Sequence, residues 1–319
     1  MTIGEFELIE RFFTRPVRRA ALGVGDDCAL LAPGPGMQLA VSSDMLVEGR
    51  HFLATVPPDR LGHKALAVNL SDLAACGAKP LAFMLALALP TAEPTFLAGF
   101  SRGLFQMADS HGCELVGGDT TRGPLTICIT VFGEVPIGTA LLRSGARAGD
   151  EIYVSGTLGD ARLALEVFRG RLSLDAAGFE AARAAMEMPQ PRVALGVALR
   201  GIASSAIDVS DGLLGDLGHI LERSGVGATV DIDAVPRSAS LRAQAATVQR
   251  DCMLAGGDDY ELVFTASKSG AGAVADAART AGIAVTRIGR IDSDAGLRLV
   301  DARGSPVPNT FGSFDHFRT

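Results

Sequence analysis

Seven aspartates carry most of the chemistry this chain offers. Asp26, Asp27, Asp44, Asp72, Asp119, Asp208 and Asp211 stand in GVGDDCALL (23–31), VSSDMLVEGRHF (41–52), AVNLSDLAACGAKP (67–80), VGGDTTRGP (116–124) and AIDVSDGL (206–213). The pattern predicts short loops that mostly follow an apolar strand or lie near the end of an element. Gly and Ser beside a carboxylate let the backbone approach a ligand and leave N–H groups free for phosphate oxygens. One Asp beside Gly is ordinarily a turn, and Ser210 or Asp211 can equally cap a helix beginning near Gly212. Five acidic stretches in one chain imply more. Two carboxylates ~4 Å apart repel by about 4 kcal/mol at an effective dielectric of 20, so a convergent set takes up protons or cations. All-oxygen donors beside Gly-rich turns suit Mg²⁺ bridging phosphates. No stretch has the ligand spacing of an EF-hand, there is no GxxxxGK[ST] loop, and GTLGD (156–160) is a lone Gly loop. These residues alone point to a magnesium–phosphate enzyme and leave its class open.

The elements that must position these residues follow from periodicity. An apolar strand at 39–41 leads into Ser42, Ser43 and Asp44, and 59–76 repeats apolar side chains at helical spacing before Gly77, a C-cap. Residues 81–89 suit a buried strand, 95–111 return to helical spacing, and strands follow at 113–117 and 125–135. Around 136–149 the texture changes to Pro, Gly, Arg and Ala, which divides the chain into domains at 1–140 and 141–319. Beyond it, strands at 152–154, 204–209, 228–232, 260–266 and 284–289 alternate with helical stretches such as 160–169 and 212–224. That alternation predicts an α/β layer arrangement.

Composition narrows the function classes. The chain has 319 residues, 48% hydrophobic and 20% charged, so it is globular and long enough for two domains. A net charge of −7 without a basic run argues against nucleic acid as partner. The first 13 residues carry Glu5, Glu7 and Glu10 and do not read as a secretory signal. The longest apolar run, 81–89, is about half the ~20 residues of a membrane span. Five scattered cysteines, none in a CxxC pair, read as free thiols in a reducing, cytoplasmic setting.

The ordered set GVGDD, SSDMLVEGRHF, AVNLSDLAACGAKP, GGDTTRGP, the Arg143-Ser144-Gly145 turn, IDVSDGL and GGDDYEL (256–262) strongly resembles the thiamine-monophosphate kinases. These belong to the superfamily of aminoimidazole ribonucleotide synthetase and selenophosphate synthetase. The resemblance spans nearly the whole chain, and GGDTTRGP together with GGDDYEL is its most specific part. It implies an N-terminal α+β domain that builds a dimeric barrel with a second subunit, a C-terminal α/β domain with a helix-covered sheet, and a nucleotide cleft. Carried over by motif, the Mg²⁺ ligands are Asp27, Ser43, Asp44, Asp72, Asp119, Asp208 and Asp211, with Ser42 close by. Gly118, Asp119, Arg143 and Ser210 meet ATP, while His51, Asp258 and Phe314 meet thiamine monophosphate. At 258 the family pattern has Glu, and the shorter Asp258 makes a water-mediated contact the expectation.

The implied reaction is transfer of the γ-phosphate of ATP to thiamine monophosphate, giving thiamine diphosphate. The acceptor is a phosphate monoester with a second pKa of ~6, already anionic at neutral pH, so no general base is expected. The alternatives are another ATP-dependent synthetase of the superfamily or a non-catalytic nucleotide-binding maturation protein. Residues 1–22 contain no Cys and no Lys, which disfavours selenophosphate synthetase.

Overall fold

The structure is a computed structural model that describes residues 4–25 and 28–312. The chain forms two compact units, Met1–Leu73 with Ala78–Gly138, and Ala74–Gly77 with Thr139–Thr319.

The first unit contains α1 (Glu5–Phe13), β1 (Met37–Val47), α2 (Pro58–Ala75), β2 (Lys79–Leu89), α3 (Pro94–His111), β3 (Glu114–Arg122) and β4 (Thr126–Pro136). Its sheet runs β1-β4-β2-β3, with β4 antiparallel to both neighbours and β2 parallel to β3. The parallel pair is joined through α3, the long crossover such a pair needs. Along β4, Ile127, Ile129, Val131 and Val135 are buried and alternate with half-buried residues, as one covered face requires. Helix α2 covers that face: a Cβ placed on Gly133 would lie 3.0 Å from Leu73 Cδ2. Where α2 and α3 cross, a Cβ on Gly103 would meet the Asp59 carbonyl oxygen at 1.8 Å, so only glycine permits the approach. The other face of the sheet presents Val41 and Met45, 58% and 55% exposed, beside Leu39 and Met84. Within one chain the sheet is open.

The second unit contains β5 (Glu151–Ser155), α4 (Asp160–Phe168), α5 (Ala176–Glu187), α6 (Val193–Ala198), β6 (Ala203–Asp208), α7 (Leu213–Ser224) and β7 (Gly227–Asp231). It continues with α8 (Ala239–Arg242), α9 (Ala246–Ala255), β8 (Leu262–Ala266), α10 (Ala271–Ala281), β9 (Val285–Asp292), β10 (Gly296–Val300) and β11 (Pro306–Val307). The strand order is β11-β10-β7-β9-β5-β8-β6, and only β10 and β7 run parallel. The sheet is thus mixed and mainly antiparallel, although βα alternation usually accompanies parallel strands. Alternation reveals which segments are helical and which extended; strand direction depends on where each helix returns the chain. Ile152, Val154, Ile207, Leu213, Leu217, Ile220 and Val263 form part of the core, each aliphatic side chain contributing ~1.5–3 kcal/mol on full burial.

Candidate active site

In the first unit the acidic residues sit on regular elements. Ser42, Ser43 and Asp44 lie inside β1, which pairs with β4 from Met37 through Val47. Asp72 lies in the last turns of α2, and Gly118 and Asp119 lie inside β3. This differs from the loops expected from sequence. Ser and Asp interrupt the apolar pattern, but the ladder to β4 carries the strand through them.

The strand's period of two then divides the motif between the faces of the sheet. Ser42 and Asp44 face α2. Ser42 Oγ donates to Asp72 Oδ2, and the Asp44 N–H donates to Asn69 Oδ1 at 3.0 Å. Asn69 is 1% exposed, and its Nδ2 donates to the Ala65 carbonyl one turn earlier. Ser43 points to the opposite face, where its hydroxyl lies 3.0 Å from Thr130 Oγ1 and donates to the Ile129 carbonyl. A contribution from Ser43 to a ligand beside Asp44 would therefore come through its main chain.

Register also separates Asp44 from Asp119. Asp44 pairs with Ile129, Ile129 with Leu85, and Leu85 with Gly118. Three strand spacings put the Asp44 and Asp119 regions ~14 Å apart. Within one chain the two carboxylates therefore stand on separate strands, β1 and β3. Gly118 is required where it stands: its φ is 149°, and a Cβ would lie 1.8 Å from the Leu85 carbonyl oxygen. A cavity of about 1120 Å³ opens beside it, lined by Phe6, Ile9, Cys28, Met84, Gly118 and Asp119 among others. After β1, the His51 ring is turned by its own backbone: Nδ1 accepts the Val47 N–H at 3.0 Å, so the neutral ring carries its proton on Nε2.

In the second unit the acidic residues sit on turns. β6 ends at Asp208, 5% exposed, and residues 209–212 lead into α7. In the first turns of α7, Asp216 accepts the N–H groups of Ser210 and Asp211 at 3.0 and 3.1 Å. Burial, with the neighbouring Asp211 charge, pushes the Asp216 carboxyl up to about 7 despite those hydrogen bonds. At the far end of α7, Ser224 Oγ donates to the Arg143 carbonyl and accepts the Gly145 N–H, tying the Arg143-Ser144-Gly145 turn to the same helix. The 256–262 segment docks on the 208–212 turn: the Asp258 N–H donates to the Ser210 carbonyl at 2.7 Å, and the Tyr260 N–H to the Val209 carbonyl at 2.9 Å.

Among the described residues no three His, Cys, Asp or Glu side chains gather closely enough to hold a metal ion by themselves. Asp26, Asp27 and Phe314 lie outside the described residues. Asn69, Asp216 and Asp259 carry little signal in the sequence: a lone Asn on an apolar helix, an Asp four residues after Gly212, and the second Asp of GGDDYEL.

The sequence matches two family descriptions in tandem: AIR synthase related protein, N-terminal domain, over residues 25–135, and its C-terminal domain over 147–302. The thiamine-monophosphate kinase of Salmonella typhimurium is 46% identical over 328 residues, covering 100% of both chains. The chain belongs to the thiamine-monophosphate kinase family. Within that family, the crystal structure from Stenotrophomonas maltophilia is 46% identical with a TM-score of 0.84, over 91% of this chain and 92% of that one. A second solved structure, AaThiL complexed with AMPPCP and TMP, is 29% identical with a TM-score of 0.78, over 90% and 89% of the respective chains. For a thiamine-monophosphate kinase fold, the mixed sheets and helices described above are the expected architecture.

Proposed function

We propose that this chain phosphorylates thiamine monophosphate with ATP, by direct in-line transfer to the acceptor phosphate. The observation that carries the reading is the full-length, 46% kinship with a thiamine-monophosphate kinase. A relative solved in complex with AMPPCP and TMP supports nucleotide and acceptor being bound at the same time, as direct transfer requires. Incubating the purified protein with both substrates and following thiamine diphosphate by chromatography tests it. ATP hydrolysis without that product would overturn it.

We assign the ligand roles by motif: Asp27, Ser43, Asp44, Asp72, Asp119, Asp208 and Asp211 as metal ligands, with Ser42 joining them through its contact to Asp72. The donors fit Mg²⁺. They are hard oxygens in small groups, and Mg²⁺ usually takes one or two carboxylates with substrate phosphates in preference to an all-protein cage. When bound, Mg²⁺ neutralises charge on the phosphates. This chain's residues do the rest. Gly118 lets β3 run close against β2 beside Asp119, and Arg143 offers a planar fork to phosphate oxygens. Asp216 accepts the Ser210 and Asp211 N–H groups and so fixes the turn. His51, Asp258 and Phe314 hold the thiamine end. His51 would donate from Nε2, since its Nδ1 is already an acceptor.

We assign ATP and metal binding and dimerisation to residues 1–140, and completion of the phosphate and substrate site to 141–319. A homodimer is supported by the exposed apolar face of β1, with Val41 and Met45 more than half exposed. Sedimentation equilibrium showing an active monomer at micromolar concentration would refute the dimer. A cytoplasmic location is supported by five cysteines, none of them in a disulfide. Among the described residues no helix is long and apolar enough to cross a membrane.

A further inference from the structure

We propose that Asp259 and Glu261 are positioning residues that hold Asp258 in fixed register with the Ser210–Asp211 turn, and through it set the affinity for the phosphate acceptor. The inference rests on the kinase reading above and on Asp258 facing that substrate.

The backbone carries the first observation. Asp258 and Tyr260 have φ of 63° and 52°, the only described non-glycine residues with positive φ. Such conformations persist where the surroundings over-determine them, and they concentrate at functional sites. A turn needed for folding alone would be made more easily with glycine at both places. Side chains kept there imply that Asp258 and Tyr260 are wanted in that orientation.

The anchors on either side carry the second. The Asp259 carboxylate, between the two strained residues, accepts the Gly159 N–H through Oδ1 and Oδ2 at 2.9 and 3.1 Å. Gly159 belongs to the GTLGD loop and opens α4. Two residues on, Glu261 is 5% exposed and takes both Arg192 Nε, at 2.6 Å, and Arg192 Nη2. Glu261 Oε2 also accepts from Ser155 Oγ at 2.5 Å. The main chain between these anchors is zipped to the metal-ligand turn by Asp258 N–H to Ser210 O, Tyr260 N–H to Val209 O, and Val209 N–H to Glu261 O. Strand end, turn and strained segment therefore move as one body. Asp258 is the side chain that this body presents. A shift of its backbone changes the distance from Asp258 to a ligand held at Ser210 and Asp211, and misplacement of about 1 Å can cost on the order of 100-fold.

Steady-state kinetics on the intact enzyme decide it, with each substrate varied in turn. Asp259→Ala is expected to raise KM for thiamine monophosphate by about tenfold or more and to leave KM for ATP within about twofold. Asp259→Asn keeps an acceptor for the Gly159 N–H and is expected to restore KM to within about threefold of wild type. Should Asp259→Ala fail to fold, Glu261→Gln, which keeps one acceptor oxygen, replaces the other with an NH2 donor and loses the charge pairing with Arg192, is expected to show the same split. Equal changes in both Michaelis constants, no change in either, or an Asn variant as impaired as the Ala variant would overturn the inference. A wild-type enzyme that makes no thiamine diphosphate would overturn the kinase reading instead, and the inference with it.

Discussion

The two units hold their acidic residues by different physical means. In the first, Ser42, Asp44, Asp72 and Asp119 sit on strands and a helix, so pleat, helical period and register set where each points. In the second, Asp208, Ser210, Asp211 and Asp258 sit at a strand end and on turns, whose shape is imposed by other carboxylates, Asp216, Asp259 and Glu261, accepting backbone or guanidinium N–H groups. Regular structure positions a ligand through many weak constraints shared along the element. A turn relies on a few strong ones. Single substitutions outside the ligands should therefore disturb the second unit's geometry more than the first's.

The residues proposed as metal ligands set the upper end of the scale. Asp72→Asn and Asp119→Asn are expected to lower turnover by at least about 100-fold, and chelator to abolish activity. Near-wild-type turnover in both variants would break the premise that the first unit works through bound cations. Next comes Asp216→Ala, which leaves the Ser210 and Asp211 amides without their acceptor. Turnover should fall roughly tenfold while the melting temperature changes by only a few degrees, given ~1–3 kcal/mol for a lost buried acceptor. Its counterpart in the first unit is Asn69→Ala, which removes the acceptor of the Asp44 N–H. The strand ladder should keep Asp44 in place, so stability drops by about 1–3 kcal/mol with turnover within about threefold. Were Asn69→Ala to cost more activity than Asp216→Ala in the same assay, the contrast between the units would be reversed. The pleat gives a smaller test: Ser42→Ala should reduce activity more than Ser43→Ala, because only Ser42 reaches Asp72.

The smallest effect concerns pH. Glu114 accepts the N–H groups of Arg18, Arg19 and Ala20, so the first unit also uses a carboxylate to hold an irregular segment, away from the acidic motifs. Burial works against its ionisation, but those hydrogen bonds and the Arg19 charge outweigh it and hold its pKa below the ordinary value. A depressed carboxylate stabilises the fold above its unfolded pKa, near 4.5, and that contribution disappears as pH falls through the folded value. The melting difference between wild type and Glu114→Gln should therefore be steady from pH 7 to 5 and shrink below about 4.5. A difference that grows toward acid would reverse the sign assigned to Glu114.

Much of this protein could be read from its residues. Helical spacing at 59–76 and 95–111 and alternation at 125–135 reported α2, α3 and β4, because burying one face forces that period whatever the partner. The ordered acidic motifs identified the family, since side-chain chemistry is written directly in residue type. Tertiary structure decided what depends on distant partners. Ser42, Ser43 and Asp44 belong to a strand because β4 pairs with them. Ser42 and Ser43 point to opposite faces because a strand alternates, and about 14 Å separate Asp44 from Asp119 because β4 and β2 lie between their strands. The second sheet is mainly antiparallel because of where its helices return the chain. Asp259 and Glu261 show the limit most clearly. Their neighbours in sequence say only that a turn precedes a strand, while their hydrogen bonds are to Gly159, Ser155 and Arg192, between 69 and 106 residues away. Residue type dictates what a side chain can do, and only the fold decides what it does it to.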